Sequence, residues 1–492
     1  MTTIDRFPSK RTSLVHLPAI VMWKPRRTTL FSSPILALCY VFLSQKNAEV
    51  SSQALTASVA SYAPIMSECP SDQNILRLAG SPTGRNQTLS QGEEDFRRGR
   101  QSVTAPLWRE FFTNGPGKDA GYQSTPLMDQ KQQDGRCLES HILGVDYARH
   151  YTPLESCKRC GDARTSSSPV RGVHQLASNA QFLDHIHDTA KLKKDAGFNI
   201  SLSDVWGRAV GYHFLPGTTS DDFYTNSPAT AHGAGDLFSG LRNMKSFQEF
   251  NVPLPIVVSD HKPAQPEGSL AVEFGSFDPQ LSAFIPTEFL GTSLSSGRPW
   301  DTFDLKKSLQ TDLKKSCVRG FDQLSFIMGS SATVFNVVTG MPATYNAVFK
   351  KMIQRIADKA LDGSITARYP NPFKGVSGPM GFDRSSSDEL VIVDGGENGE
   401  NIPINPLLTP ARQVDVILAV DASVARMGSG WPNGKGMINT YLRVHKVLPA
   451  GTADFPPVPL DTAVWEEKGY SSRPTFLAVM SRARKGMVDI HW

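Results

Sequence analysis

The sequence predicts a layered α/β fold, and three observations predict it. Pro255-Ile-Val-Val-Ser-Asp260, Glu389-Leu-Val-Ile-Val-Asp394 and Val414-Asp-Val-Ile-Leu-Ala-Val-Asp421 are short β-branched runs, each closing on an aspartate. Nearly continuous apolar runs of this length suit strands buried on both faces of a sheet covered by helices. Between the first two runs, Tyr345 to Leu361 places Val348, Met352, Ile353, Ile356 and Ala360 at helical spacing. The third observation is size and composition. With 492 residues, 39% hydrophobic and 20% charged, the chain can bury a sizeable core and lies far from the composition of disordered polypeptides. Strands of this kind with helices between them pack as α/β layers.

Lys and Arg total 51 against 47 Asp and Glu, a formal charge of +4. That balance gives no electrostatic footprint for nucleic acid. The local clusters Lys24 to Arg27 and Arg97 to Arg100 read as a targeting flank and a solvated face. The first of them precedes an apolar run, Pro34 to Leu43, and a Ser/Ala-rich stretch through Ser61. This order is that of a secretory signal, and the run is too short for the roughly 20 apolar residues that span a bilayer. Met22 lies just upstream of the basic group and is an alternative start. The expected location is therefore secreted or in the cell wall, with Asn86 and Asn199 as glycosylation acceptors in Asn-Xaa-Ser/Thr sequons. Cys39 falls within the signal-like run, which leaves Cys69, Cys137, Cys157, Cys160 and Cys317. An odd number implies at least one free thiol or a compromised disulfide framework.

The chain divides into a signal-like segment (1–60), an N-terminal portion (61–114), an atypical segment (115–183), the main domain (184–478) and an atypical tail (479–492). Ser90 and Glu93 form a capping-box pattern that starts a helix through Arg97 to Arg100, and Thr104 to Phe112 reads as a second amphipathic piece. Residues 115–183 are rich in Gln, Ser, Arg, Gly and Asp and hold no period, so they are either a long loop or a stretch foreign to the fold.

Asp394 ends a buried strand and precedes Gly395 and Gly396, which permit a sharp turn and close approach of the backbone. Ligand crevices of open α/β sheets lie beyond the carboxyl ends of the strands, where a carboxylate can do acid/base work. The competing reading is an aspartate that caps a turn, and the local pattern alone favours it, because Asp260 and Asp421 close strands in the same way.

The longer match decides between them. Asp394-Gly-Gly-Glu-Asn-Gly-Glu-Asn-Ile-Pro403 resembles the signature around the catalytic aspartate of fungal lysophospholipases (phospholipase B), relatives of cytosolic phospholipase A2 and patatin. Asp195 to Ala209, Pro253 to Asp260, Glu273 to Gln280, Cys317 to Asp322, Phe326 to Ser331, Tyr369 to Phe373, Val414 to Ser423, Trp431 to Gly434 and Arg473 to Phe476 resemble further blocks in family order. Cys69-Pro-Ser, Leu89 to Glu93 and Trp108 to Phe112 resemble the family's opening. The resemblance implies a layered α/β/α fold with a central mixed sheet, and hydrolysis of a fatty-acyl ester of a lysophospholipid or phospholipid at a membrane or micelle surface. It implies a Ser/Asp dyad with Asp394 as base, Asn401 bracing its turn, Glu397 and Glu400 exposed, and neither a cofactor nor an obligate protein partner.

The chain departs from the family in one respect. No Ser-Gly-Gly-Gly is present, nor any Gly-Xaa-Ser-Xaa-Gly elbow, so the nucleophile has no candidate and a non-catalytic, lipid-binding homologue is the alternative. Ser330, Ser331 and Ser429 are near misses read as structural. Cys157-Lys-Arg-Cys160 with Cys137, His141 and His150 is a weak zinc pattern. His185 and His187 read as alternate, surface residues of a strand, so no metal is expected.

Overall fold

The structure is a computed structural model that describes residues 19–22, 63–70, 74–80, 87–114, 180–214, 235–261, 265–270, 273–278, 280–299, 316–331, 366–376, 381–395, 398–400, 402–414, 416–419, 421, 432–470, 472 and 475–478. Its strands are β1 (Ala19–Met22), β2 (Ile65–Glu68), β3 (Arg77–Leu78), β4 (Ile256–His261), β5 (Gln265–Leu270), β6 (Glu273–Ser276), β7 (Ala283–Pro286), β8 (Leu294–Ser295), β9 (Arg298–Pro299), β10 (Ser316–Arg319), β11 (Ala367–Pro370), β12 (Glu389–Asp394), β13 (Val416–Ala419) and β14 (Thr475–Ala478). The helices are α1 (Gln91–Thr113), α2 (Ala180–Asp195), α3 (Leu202–Phe214), α4 (Lys245–Gln248), α5 (Leu324–Ser331), α6 (Lys435–Leu442) and α7 (Thr462–Glu467).

The main sheet runs β11-β12-β4-β5-β6-β7-β3, with every neighbouring pair antiparallel. Parallel pairing enters in a smaller sheet, where β1 runs parallel to β13 and antiparallel to β14. All three apolar runs that close on aspartate are therefore strands. The helix expected over Tyr345 to Leu361 lies outside the described residues.

α1 begins as its sequence requires: the Ser90 hydroxyl accepts the Glu93 amide at 3.1 Å. The reciprocal half of the expected capping box is not made, because the Glu93 carboxylate turns inward to a buried Arg412, 2.7 Å away. The two expected helical pieces are one helix of 23 residues with Pro106 inside it. The proline forfeits a single N–H, and the turn before it gains side-chain bonds from Ser102 to the Gly99 carbonyl and from Thr104 to that of Arg100. His185 and His187 lie on α2 rather than on a strand, and His185 is buried, which corrects their reading as alternate surface residues.

α5 is buried along its whole length and packs on α3, β4 and β12. The crossing with α3 is set by glycine: a Cβ on Gly329 would stand 2.5 Å from the Gly207 Cα, and one on Gly207 only 2.1 Å from the Ser325 carbonyl oxygen. No larger residue fits between the two backbones. Beside that crossing, Lys193 of α2 meets Asp204 of α3 at 2.7 Å, with both side chains almost completely buried. Asp204 also accepts the Ser201 amide and hydroxyl, so the pair fixes both the α2–α3 connection and the start of α3. Around these elements lies the larger apolar core, which includes Ile186, Trp206, Phe284, Phe321, Phe326, Tyr369 and Ile392. A second core gathers Ile404, Ile417, Met437 and Trp465 next to the smaller sheet.

Cys69 is joined to Cys317 across the β2–β10 pair, closing a sequence separation of 248 residues. The remaining cysteines of the predicted mature chain and the proposed zinc residues lie outside the described residues, as do Asn86 and residues 115–179. Among the described residues no helix is long and apolar enough to cross a membrane.

Replacing Lys193 by methionine leaves the Asp204 charge buried without its cation. Breaking a buried pair from one side costs about 3–5 kcal/mol. Urea unfolding of Lys193→Met should show a loss of that size, and a stability equal to wild type would contradict the role given to the pair.

Candidate active site

β12 forms where Val391, Ile392 and Val393 follow one another, and Leu390, Ile392 and Val393 are buried. It pairs with β4 in the register Ile392↔His261, Val393↔Asp260 and Asp394↔Ser259. Asp394 is thus held at the last paired position and is 5% exposed. The Gly395 amide donates to the Ser331 carbonyl at the end of α5, 3.3 Å away. A Cβ on Gly395 would lie 2.4 Å from the Val258 carbonyl oxygen, so the close backbone approach expected from the sequence occurs, and only glycine permits it. Gly396, Glu397 and Asn401 lie outside the described residues.

Beyond Gly395 the chain is tied back to β4. The Asn398 amide donates to Asp260 Oδ2 at 3.2 Å and its side-chain nitrogen to Oδ1 at 3.4 Å. Both ends of the turn that follows Asp394 are therefore fixed to one neighbouring strand, one by register and the other by a carboxylate. Burial pushes Asp260 up to about 7, against the Asn398 amide and the positive charge of Arg443, with Glu400 and Asp394 adding to the rise. Glu400 is 5% exposed, which corrects its expected exposure. Thr440 donates to it at 3.2 Å and the Asn405 side chain also bonds it, and burial raises its pKa above the usual carboxylate range. A polar turn in the sequence gave no sign that α6 and Asn405 would close over this side chain.

The near-miss serines are engaged in the fold. Ser330 Oγ lies 2.6 Å from the Tyr369 hydroxyl and donates to the Ile327 carbonyl, and Ser331 Oγ donates to the Met328 carbonyl. Ser429 lies outside the described residues. Ser259, not singled out in the sequence, stands directly across the ladder from Asp394. It sits within β4 and not on the sharp strand-to-helix turn that exposes a nucleophile. Asn199 is exposed between α2 and α3, and its amide nitrogen donates to Glu389 at 2.8 Å. Among the described residues, no three His, Cys, Asp or Glu side chains gather as a metal-binding group.

A family model described as the lysophospholipase catalytic domain matches residues 161–487. The match begins inside the atypical segment and ends inside the atypical tail. Lysophospholipase 1 of Aspergillus fumigatus is 27% identical over 515 residues, covering 89% of this chain and 75% of the relative. Lysophospholipase 3 of the same organism is 36% identical over 407 residues, covering 74% and 59%. Probable lysophospholipase 3 of Schizosaccharomyces pombe is 33% identical over 330 residues, covering 62% and 45%. The chain thus spans less than two thirds of the length of the latter two. Among solved structures, human GIVD cytosolic phospholipase A2 superposes with a TM-score of 0.50 at 13% identity, over 82% of this chain and 59% of that one. At that identity the likeness concerns the fold.

The raised Asp260 pKa sets a direction for stability. Between the ordinary value of 3.8 and about 7 the native state holds a proton that the unfolded chain releases. Stability therefore falls as pH rises through that window and levels off above it. Asp236, at about 7, and Asp322, at about 6, add to the same trend. Denaturation midpoints from pH 4 to 8 should follow this slope, and Asp260→Asn should flatten it in part; an unchanged slope in the variant would contradict the assignment.

Proposed function

Because the chain belongs to the lysophospholipase catalytic-domain family, we propose that it hydrolyses fatty-acyl esters of lysophospholipids, and of phospholipids, presented at a membrane or micelle surface. The observation that carries this reading is Asp394. It is a buried carboxylate at the end of β12, in the family's signature, with its following turn fixed to β4. In the dyad mechanism the carboxylate takes the proton of an attacking hydroxyl, the acyl group passes to that oxygen as the ester C–O bond breaks, and the departing glycerol oxygen takes the proton; water then attacks the acyl-enzyme, frees the fatty acid and restores the hydroxyl. A base of this kind must be shielded from water and held in place. Burial at 5% exposure and the Gly395 and Asn398 tethers support both requirements.

The nucleophile is left unassigned in this proposal. Ser330 and Ser331 bond α5's own carbonyls, and Ser259 lies inside β4, not on a nucleophile turn. The proposal includes secretion or cell-wall residence and a glycan on Asn199. Its supports are the signal-like order near the N-terminus, the exposure of Asn199, and the Cys69–Cys317 bridge, since disulfides persist in oxidising compartments.

Purified protein should release fatty acid from lysophosphatidylcholine, and Asp394→Asn should lower kcat by at least about 10³-fold, within the range of losses seen when the base of a hydrolytic dyad or triad is neutralised. Activity like wild type in Asp394→Asn would remove Asp394 from the mechanism.

A further inference from the structure

One helix meets the chain beyond Asp394 with three side chains. On α6, Asn439 Nδ2 donates to the Gly399 carbonyl at 2.9 Å and Thr440 Oγ1 to Glu400 at 3.2 Å. One turn further on, the buried Arg443 lies 3.7 Å from Asp278, and its charge opposes the burial that raises the pKa of Asp260 and of Glu400. Positions 439 and 443 share a helical face and 440 adjoins it. That face therefore carries a donor for the backbone, a donor for a carboxylate and a cation, all directed at Asp260 and residues 398–400.

These contacts continue a tether that β4 begins. Asp260 holds Asn398, and the Asn398 side chain in turn accepts the Glu400 amide at 2.6 Å. The carbonyl between them, that of Gly399, is held from α6. Gly399 has φ +83°, and a Cβ on it would stand 2.3 Å from Asn439 Nδ2, so the approach of Asn439 to this peptide requires glycine. At Arg443 the helix widens into a π turn, Arg443–Val447, closed by the Leu448 amide on the Arg443 carbonyl at 3.0 Å. Such turns are rare and recur at functional sites. A base has to stay within hydrogen-bond reach of the proton it takes, and a misplacement of about 1 Å can cost about 100-fold in rate.

We propose that Asn439 and Arg443 are positioning residues for the hydrolysis: they hold residues 398–400 and, through them, the orientation of the Asp394 carboxylate. The proposal rests on the reading of Asp394 as the base. Because the effect passes through the turn, it falls on the chemical step and not on lipid binding.

Lysophosphatidylcholine hydrolysis by the full chain tests it, with kcat and KM separated and the folded fraction measured by circular dichroism. Asn439→Leu, which nearly keeps the volume and removes the donor, should lower kcat about tenfold with KM unchanged, the rate equivalent of one hydrogen bond. Arg443→Met should do likewise, and Arg443→Lys, which keeps the charge, should recover part of the loss. A merely structural role predicts a lower melting temperature with the kcat of the folded enzyme intact. Unchanged kcat in Asn439→Leu, or a rise in KM alone, would overturn the proposal. If that variant does not fold, an Arg443→Lys enzyme no faster than Arg443→Met would do so. The two readings fail separately: a wild-type chain without turnover overturns both, whereas an active wild type that loses activity in Asp394→Asn but not in Asn439→Leu overturns the positioning role alone.

Discussion

The antiparallel pairing of β12 with β4 is the constraint on which the candidate active site depends. It places Asp394 at the last rung of the ladder, opposite Ser259, and it brings Asp260 to the neighbouring rung. The approach is so close that Gly395 has no room for a side chain against Val258. Asp260 then captures Asn398 three residues further on, so the chain after Asp394 is tied back to β4, the neighbour of the strand it leaves. The buried carboxylates Asp394, Asp260 and Glu400 are a consequence of that closure. Asp260 and Glu400 cost stability at neutral pH, and the fold meets part of the cost with Asn398, Thr440, Asn405 and Arg443. Polar groups concentrated in this way at one turn are a pattern found where function is favoured over stability.

The rest of the larger core holds that ladder in place. α5 lies on β4 and β12 and offers the Ser331 carbonyl to Gly395, and its own position is set by the glycine crossing with α3 and by the Lys193–Asp204 pair behind it. α1 reaches the other side through its first two turns, where Glu93 binds Arg412 and Arg97 bonds the Ala411 and Arg412 carbonyls. α1, near the start of the described sequence, is in this way tied to the segment that carries Ala411 and Arg412.

The strands were legible in the sequence, and Asp394 stood out as the candidate base, because those signals are local. β-branched runs mark β4, β12 and β13, the Ser90 cap marks the start of α1, and a run of matching residues marks Asp394. What it hid depends on long-range contact. Glu93 reads as half of a capping box because its spacing from Ser90 fits, yet Arg412, 319 positions away, offers a stronger, charge-assisted bond. Glu400 reads as exposed because its neighbours are polar, and it is buried because Thr440 of α6 covers it. His185 and His187 suit a strand by alternation, but α2 runs through them, and alternation over three residues cannot tell the two periods apart. The order of the main sheet, with β3 at one edge and β11 at the other, has no local signal at all.

Asp394 is proposed as the base of a hydrolytic dyad, and the direct measurement of that role is covalent labelling of its partner nucleophile. A fluorophosphonate probe applied to the purified, full-length chain, followed by peptide mapping, should modify one serine in wild type and none in Asp394→Asn. Labelling that persists unchanged in Asp394→Asn, or no labelled serine in the wild-type chain, would contradict the central role given to Asp394.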